Sequence, residues 1–280
     1  MSYRELFEVG PGRRLRLSEI DSTFTGRVVS KAAAITAMER DDRRLDKLQY
    51  LLYAEHARSL LIVLQGMDAA GKDGTIRHVF RALNPQGARV HAFKTPSQEE
   101  ADHDFLWRAH VHAPQKGEIV IYNRSHYEDV LIVRVHGLVP KSVWSKRYEL
   151  INDFEKNLTL AGTTILKFFL HISEEEQLRR FKKRLDDPTH QWKISDADYT
   201  ERAYFKQYME AYEETFEKTN TPFAPWFVIP SRHKWFRNLA VSKIVVETLE
   251  GFKMKFPAPS VDLAEIRRRY RSAKRTEKKR

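Results

Sequence analysis

Residues 66–75 read Gly-Met-Asp-Ala-Ala-Gly-Lys-Asp-Gly-Thr. An apolar run, Ser59–Gln65, precedes them, and a helical pattern follows from Thr75. Gly66 and Gly71 let backbone N–H groups turn inward around an anion, and Lys72 adds a mobile positive charge. The helix behind the loop aims its positive dipole end at the same point. This is a P-loop pattern that cradles phosphate, and Gly66, Ala69, Ala70, Gly71, Asp73, Gly74 and Thr75 form its substrate-binding set. A plain strand-to-helix turn would leave the lysine between glycines unexplained. One position departs from the usual pattern. The residue after the lysine is normally Ser or Thr, whose hydroxyl ligates magnesium. Here it is Asp73, and a second carboxylate, Asp68, lies inside the loop.

A second polar cluster closes another apolar run, at Ile119-Val-Ile-Tyr-Asn-Arg-Ser-His-Tyr-Glu-Asp129. In P-loop enzymes this strand often ends in an aspartate that holds magnesium. Asn123 stands there instead, a neutral and weaker ligand, directly or through water. Asp68 and Glu128 are placed to supply the missing charge. Ser125 and Glu128 also have the spacing of a helix capping box. Arg124 either faces a phosphate or forms a surface salt bridge. Lys94 closes a further strand at the same edge, followed by Thr95, a candidate nucleotide contact, and Pro96.

Arg180 and Arg184 are four residues apart and share a helix face, with Arg179 and Lys183 in a neighbouring row. They serve either as solvated cations that complement the helix dipole or as a lid closing over phosphates. Trp192-Lys193 marks the lid hinge; Lys193 is a binding candidate, and the indole is expected to pack in the core. His103, His110, His112, His126 and His136 lack a coherent zinc spacing, and most of the histidines read as surface or capping residues.

These groups need a scaffold. Lys31–Arg58 carries Leu45, Leu48 and Leu52 on one face and predicts a long helix. Strand patterns occur at 59–65, 88–93, 117–122, 163–170 and 226–229, separated by helical stretches. Ser97-x-x-Glu100 and Ser173-x-x-Glu176 are capping boxes. A polar, aromatic-rich helix is expected over Asp196–Lys218. The alternation predicts an α/β fold with a parallel sheet, helices on both faces, and ligands beyond the strand C-terminal edge. Residues 1–30 read as an irregular arm, 31–255 as one P-loop domain with a lid at about 174–220, and 256–280 as a basic tail.

The 280 residues are 41% hydrophobic and 31% charged, enough for one sizeable core. No run is long enough to span a membrane, and the N-terminus lacks a signal-peptide pattern, so a cytoplasmic protein is expected. The absence of cysteine excludes disulfides and thiolate chemistry. The net charge is +11, and residues 265–280 supply +7 of it, with nine Lys/Arg and two Glu. That tail is expected to be a solvated, partly disordered end. The basic body favours a strongly anionic partner.

Taken together, Gly66–Thr75, Tyr122-Asn-Arg-Ser-His-Tyr-Glu-Asp129, Asp187-Pro188 with Trp192-Lys193, Thr221-x-x-Ala224-Pro225-Trp226 and Lys234-Trp235 resemble the polyphosphate kinase 2 family. The resemblance runs from about residue 30 to 255. It implies a three-layer α/β/α P-loop kinase fold, thymidylate-kinase-like, with a five-stranded parallel sheet under a helical lid. It also implies transfer of the terminal phosphoryl group of inorganic polyphosphate to adenine, or guanine, nucleotides with Mg2+, or Mn2+ in its place. Asn123 and Glu128 resemble the subclass that accepts both AMP and ADP. The implied catalytic set is Asp68, Lys72, Arg124, Arg180 and Arg184, with Asp68 and Asn123 toward the metal. A homodimer or homotetramer is implied, with no membrane and no required nucleic acid. The competing readings are an ATP-dependent nucleoside or nucleotide kinase and a nucleic-acid-binding P-loop protein.

Overall fold

The computed structural model describes residues 2–10, 14–26, 28 and 30–278. Five parallel strands, β1 (Ser59–Gln65), β2 (Ala88–Ala92), β3 (Ile119–Asn123), β4 (Thr163–His171) and β5 (Trp226–Pro230), form one sheet in the order β2-β3-β1-β4-β5. The helices of seven or more residues are α1 (Lys31–Glu55), α2 (Lys72–Val79), α3 (Arg147–Leu160), α4 (Glu174–Asp186), α5 (Asp196–Arg202), α6 (Phe205–Thr219), α7 (Lys234–Gly251) and α8 (Leu263–Glu277).

The strand sequences explain the layers. Side chains alternate across a sheet, so a strand covered on both faces must be apolar throughout. β1 is buried at every position. Leu61 and Val63 join one core cluster with Phe154 of α3 and Tyr212 and Phe216 of α6. Leu60, Ile62 and Leu64 join the opposite cluster with Leu45 and Leu52 of α1 and Ile244 and Val245 of α7. The register pairs Leu64 with Asn123 and with Phe168, so the loops after β1, β3 and β4 emerge side by side.

Several expectations need correction. The Asp196–Lys218 helix is two helices, α5 and α6, broken at Ala203–Tyr204. α6 packs in the core, so the cover over the loops comes from α4 through α5. Residues 1–30 are not irregular throughout: Tyr3–Phe7 is helical, Phe7 is buried, and the Val9 N–H donates to the Trp226 carbonyl at 2.8 Å. The Ser97–Glu100 box closes in both directions. In the Ser173 box only the hydroxyl acts, because Arg179, Arg180 and Arg232 take the Glu176 carboxylate. Within the tail Leu263–Glu277 form a helix, α8, none of whose residues is buried. No helix of the described residues is long and apolar enough to cross a membrane.

Candidate active site

β1 ends at Gln65, and the chain turns at once. Gly66 has φ of +148°, Ala69 +62° and Gly71 +109°. A β-carbon at Gly66 would lie 2.9 Å from the Leu170 carbonyl, so the loop crosses the end of β4 too closely for any side chain there. The turn delivers Lys72 to the first position of α2. Its ammonium is buried and folds back onto the Gly66 and Met67 carbonyls, at 2.7 and 3.3 Å. Burial, then the nearby Arg124 charge, pushes the Lys72 amine down to about 8; Asp68, Glu128 and Asp73 oppose this.

The loop after β3 meets the loop after β1. Arg124 takes a left-handed conformation, φ +61°, and its N–H donates to the Leu64 carbonyl at 3.0 Å. Its guanidinium pairs with Asp68 at 2.6 Å and with Glu128 at 3.5 Å. Glu128 first, and then Asp68, hold the guanidinium firmly charged despite burial. The Asn123 amide donates to Asp73 at 2.8 Å, and Lys193 lies 3.5 Å from the same carboxylate. Arg124 is thus neither a lone phosphate contact nor a surface pair. It is clamped between two carboxylates at the rim of the loop.

Buried groups hold this second loop. Ser125 Oγ accepts from the Tyr127 N–H at 3.1 Å and from Gln65 Nε2 at 3.0 Å. Glu128 turns to Arg124, so the expected box with Ser125 does not close. Tyr127 donates to Glu155 at 2.7 Å, and Lys167 donates to the other oxygen of Glu155 at 2.6 Å, all fully buried. His126 is also fully buried, which corrects its reading as a surface or capping residue.

A cavity of about 900 Å³ opens beside the loop. Asp68, Ala69, Gly71, Lys72, Asp73, Gly74, Lys94, Asn123, Arg124, Arg180, Arg184 and Lys193 line it, all expected from sequence. Gly66, Ala70, Thr75, Thr95 and Glu128 do not. Thr75 is buried and its hydroxyl returns to the Gly71 carbonyl at 3.2 Å, while Thr95 is exposed. Arg184 reaches Asp198 of α5 at 3.4 Å. Trp192 is 77% exposed rather than packed.

Arg180 is engaged by protein on every side. Its Nε donates to Glu176, one terminal nitrogen to the Ala69 and Ala70 carbonyls, and the other to the Ser231 and Arg232 carbonyls. Every guanidinium nitrogen donates to protein, so the side chain braces the loop carbonyls at the cavity wall.

Sequence reasoning missed Arg237 on α7. It is 1% exposed, donates to the Ala70 carbonyl at 3.2 Å and to Asn238, and has no carboxylate partner among the described residues. Burial, then Arg180, pushes its guanidinium down to about 9, still charged at neutral pH. The available signal was a charge on the buried face of an otherwise apolar helix. Gln177, whose amide donates to the Asp68 carbonyl at 3.1 Å, was missed as well.

Across the cavity, twelve lysines and arginines face three aspartates. That excess exceeds what one short phosphate chain would need and suits an extended polyanion. The oxygen donors at the loop, Asp68, Asp73 and the Asn123 carbonyl, suit a hard divalent cation such as Mg2+. The second oxygen of Asp68 takes no hydrogen bond among the described residues.

Comparison with known proteins agrees with this geometry. The family model described as Polyphosphate kinase 2 matches residues 28–257. An "AMP/ADP-polyphosphate phosphotransferase" of Meiothermus ruber is 52% identical over 257 residues, 90% of this chain and 95% of the relative. An "ADP-polyphosphate phosphotransferase" of Rhodopseudomonas palustris is 43% identical, over 90% and 91% of the two chains. The crystal structure of polyphosphate kinase 2 from Arthrobacter aurescens TC1 superposes with a TM-score of 0.93 at 42% identity, covering 97% of each chain.

Proposed function

The chain belongs to the polyphosphate kinase 2 family, and on that premise we propose that it transfers the terminal phosphoryl group of inorganic polyphosphate to AMP and to ADP. The observation that carries this reading is the cationic excess along the cavity, which continues well past the phosphate loop to Lys31, Arg77, Arg81 and Lys234.

The loop amides and the start of α2 bind phosphate oxygens. Lys72 leaves the Gly66 and Met67 carbonyls for the anion, which replaces neutral partners by a charged one. Arg124 neutralises charge at the transferred group while Asp68 and Glu128 fix its direction. Arg184 approaches from the cover, and Lys193 with Asp73 links cover to loop. Arg180 and Arg237 hold the loop carbonyls away from the anion. The attacking group is already a phosphate oxygen, so positioning and electrostatics, rather than a strong base, supply the rate.

Asp68, with Asn123 through water and Asp73 nearby, would hold Mg2+, which on binding neutralises phosphate oxygens. The assembly we propose is a homodimer or homotetramer, and sedimentation measures it.

The test incubates purified protein and Mg2+ with polyphosphate or ATP as donor and AMP or ADP as acceptor. Formation of ADP and ATP from polyphosphate is expected. Transfer from ATP alone overturns the donor assignment. Use of ADP without AMP overturns the acceptor range and leaves the donor standing.

A further inference from the structure

Away from the phosphate cavity, three ligand-bearing side chains converge from three elements. His91 lies on edge strand β2, Glu100 on the short helix Gln98–Asp102, and His112 caps the helix Trp107–Val111. One ligand atom from each lies within 4.8 Å of the others, and all three residues are half-buried. None of them lines the cavity. We propose that His91, Glu100 and His112 form a binding site for a borderline-soft divalent cation, Zn2+ above all, separate from the magnesium used in phosphoryl transfer.

The partners of each group support this. Neither imidazole makes a side-chain hydrogen bond to the described residues. Their rings stack at 3.4 Å with 19° between planes, and a nitrogen of one lies within 4.8 Å of a nitrogen of the other. Histidine χ2 is a broad torsion. Fanning the two rings apart would bring one nitrogen of each to about 2.0–2.1 Å from a shared ion. Glu100 is already oriented, because one oxygen accepts the Ser97 N–H at 2.8 Å within the capping box. Its other oxygen takes no hydrogen bond among the described residues. Such anchoring raises ligand precision in metal sites.

The electrostatics agree. Burial, then His112, pushes the His91 imidazole down to about 4, and burial also lowers His112. Of the neighbouring cations, Arg89 pairs with Glu118 at 2.6 Å, and Arg108 donates to the Lys94 carbonyl at 2.9 Å and stands 3.9 Å from Asp129 and 3.9 Å from the capping oxygen of Glu100, which leaves the other Glu100 oxygen to a metal. Two nitrogens and one carboxylate oxygen match the donor set of three-ligand zinc sites, leaving a position for water or a further group. The spacing argument missed the site because it weighed His112 only against other histidines and did not consider His91 with Glu100.

The experiment titrates Zn2+ into the full chain, free of any histidine tag and with Mg2+ in excess, by calorimetry. Co2+ is then used as a spectroscopic probe of coordination. One Zn2+ per chain is expected. His91→Ala and His112→Ala should each weaken binding by at least about tenfold. Mg2+-dependent transfer, measured with Zn2+ chelated, should stay unchanged. Diethyl pyrocarbonate footprinting of the unmodified chain does not depend on variant folding, and Zn2+ should protect His91 and His112. Absence of Zn2+ uptake overturns the proposal. So does uptake that survives in the double variant, or that leaves both histidines reactive.

Discussion

The guanidinium of Arg237 occupies the space that a β-carbon on Gly71 would need. Gly71 is therefore required twice, for its φ of +109° and for room to admit the arginine beneath the loop. Gly71→Ala is expected to reduce transfer by about 10²-fold or more and to lower the unfolding temperature, since backbone strain alone costs roughly 1–3 kcal/mol. In Gly71→Ala/Arg237→Ala the steric part disappears, so the double variant should lose less stability than the sum of the singles. Thermal unfolding of the three variants checks this; strict additivity contradicts it.

Arg237 is a buried charge with no carboxylate partner among the described residues, and a bound phosphate would supply the missing counter-charge. Arg237→Met should leave the free protein about as stable or more so. It should also shrink the rise in unfolding temperature that polyphosphate produces. An unchanged rise removes Arg237 from anion binding.

In the proposed mechanism Asp68 and Lys72 act on charge in the transition state. Asp68→Ala and Lys72→Ala should each lower kcat by about 10²- to 10³-fold, the range for lost electrostatic stabilisers. Steady-state rates test this, and near-normal turnover in either variant rejects its role.

The Lys72 amine, held down at about 8, sets a pH dependence. It is charged below that value and neutral above it. As pH rises through about 8 the free enzyme loses the cation that meets the phosphate, so kcat/KM should fall with a single-proton slope. A profile flat to pH 9.5 would contradict the assignment.

Glu128 touches Arg124 and does not line the cavity, so the part in acceptor choice proposed for it would run through that arginine. Glu128→Asn removes one of the two carboxylates that clamp Arg124. It should lower AMP use more than ADP use, read as separate kcat/KM values. Equal losses remove Glu128 from acceptor selection.

α8 buries none of its residues. Deleting residues 263–280 should leave the unfolding temperature and AMP phosphorylation nearly unchanged, as for surface changes generally. Loss of turnover would give the tail a catalytic part.

Local patterns made much of this protein legible. The largely apolar β1 followed by Gly66–Gly74 specified a buried parallel strand and a phosphate loop, because strand burial and glycine torsions are properties of neighbouring residues. The ends of β1 and β3 likewise placed Asp68, Lys72, Asn123 and Arg124 at one edge. The partners of those groups depend on where distant segments cross. α7 passing under the loop puts Arg237 against Gly71, and α4 commits the Arg180 guanidinium, at the cavity wall, to the Ala69 and Ala70 carbonyls. The break between α5 and α6 sends one into the cover and the other into the core, although their sequences read as a single helix. Periodicity records whether a residue is buried; only the packed chain determines what it is buried against.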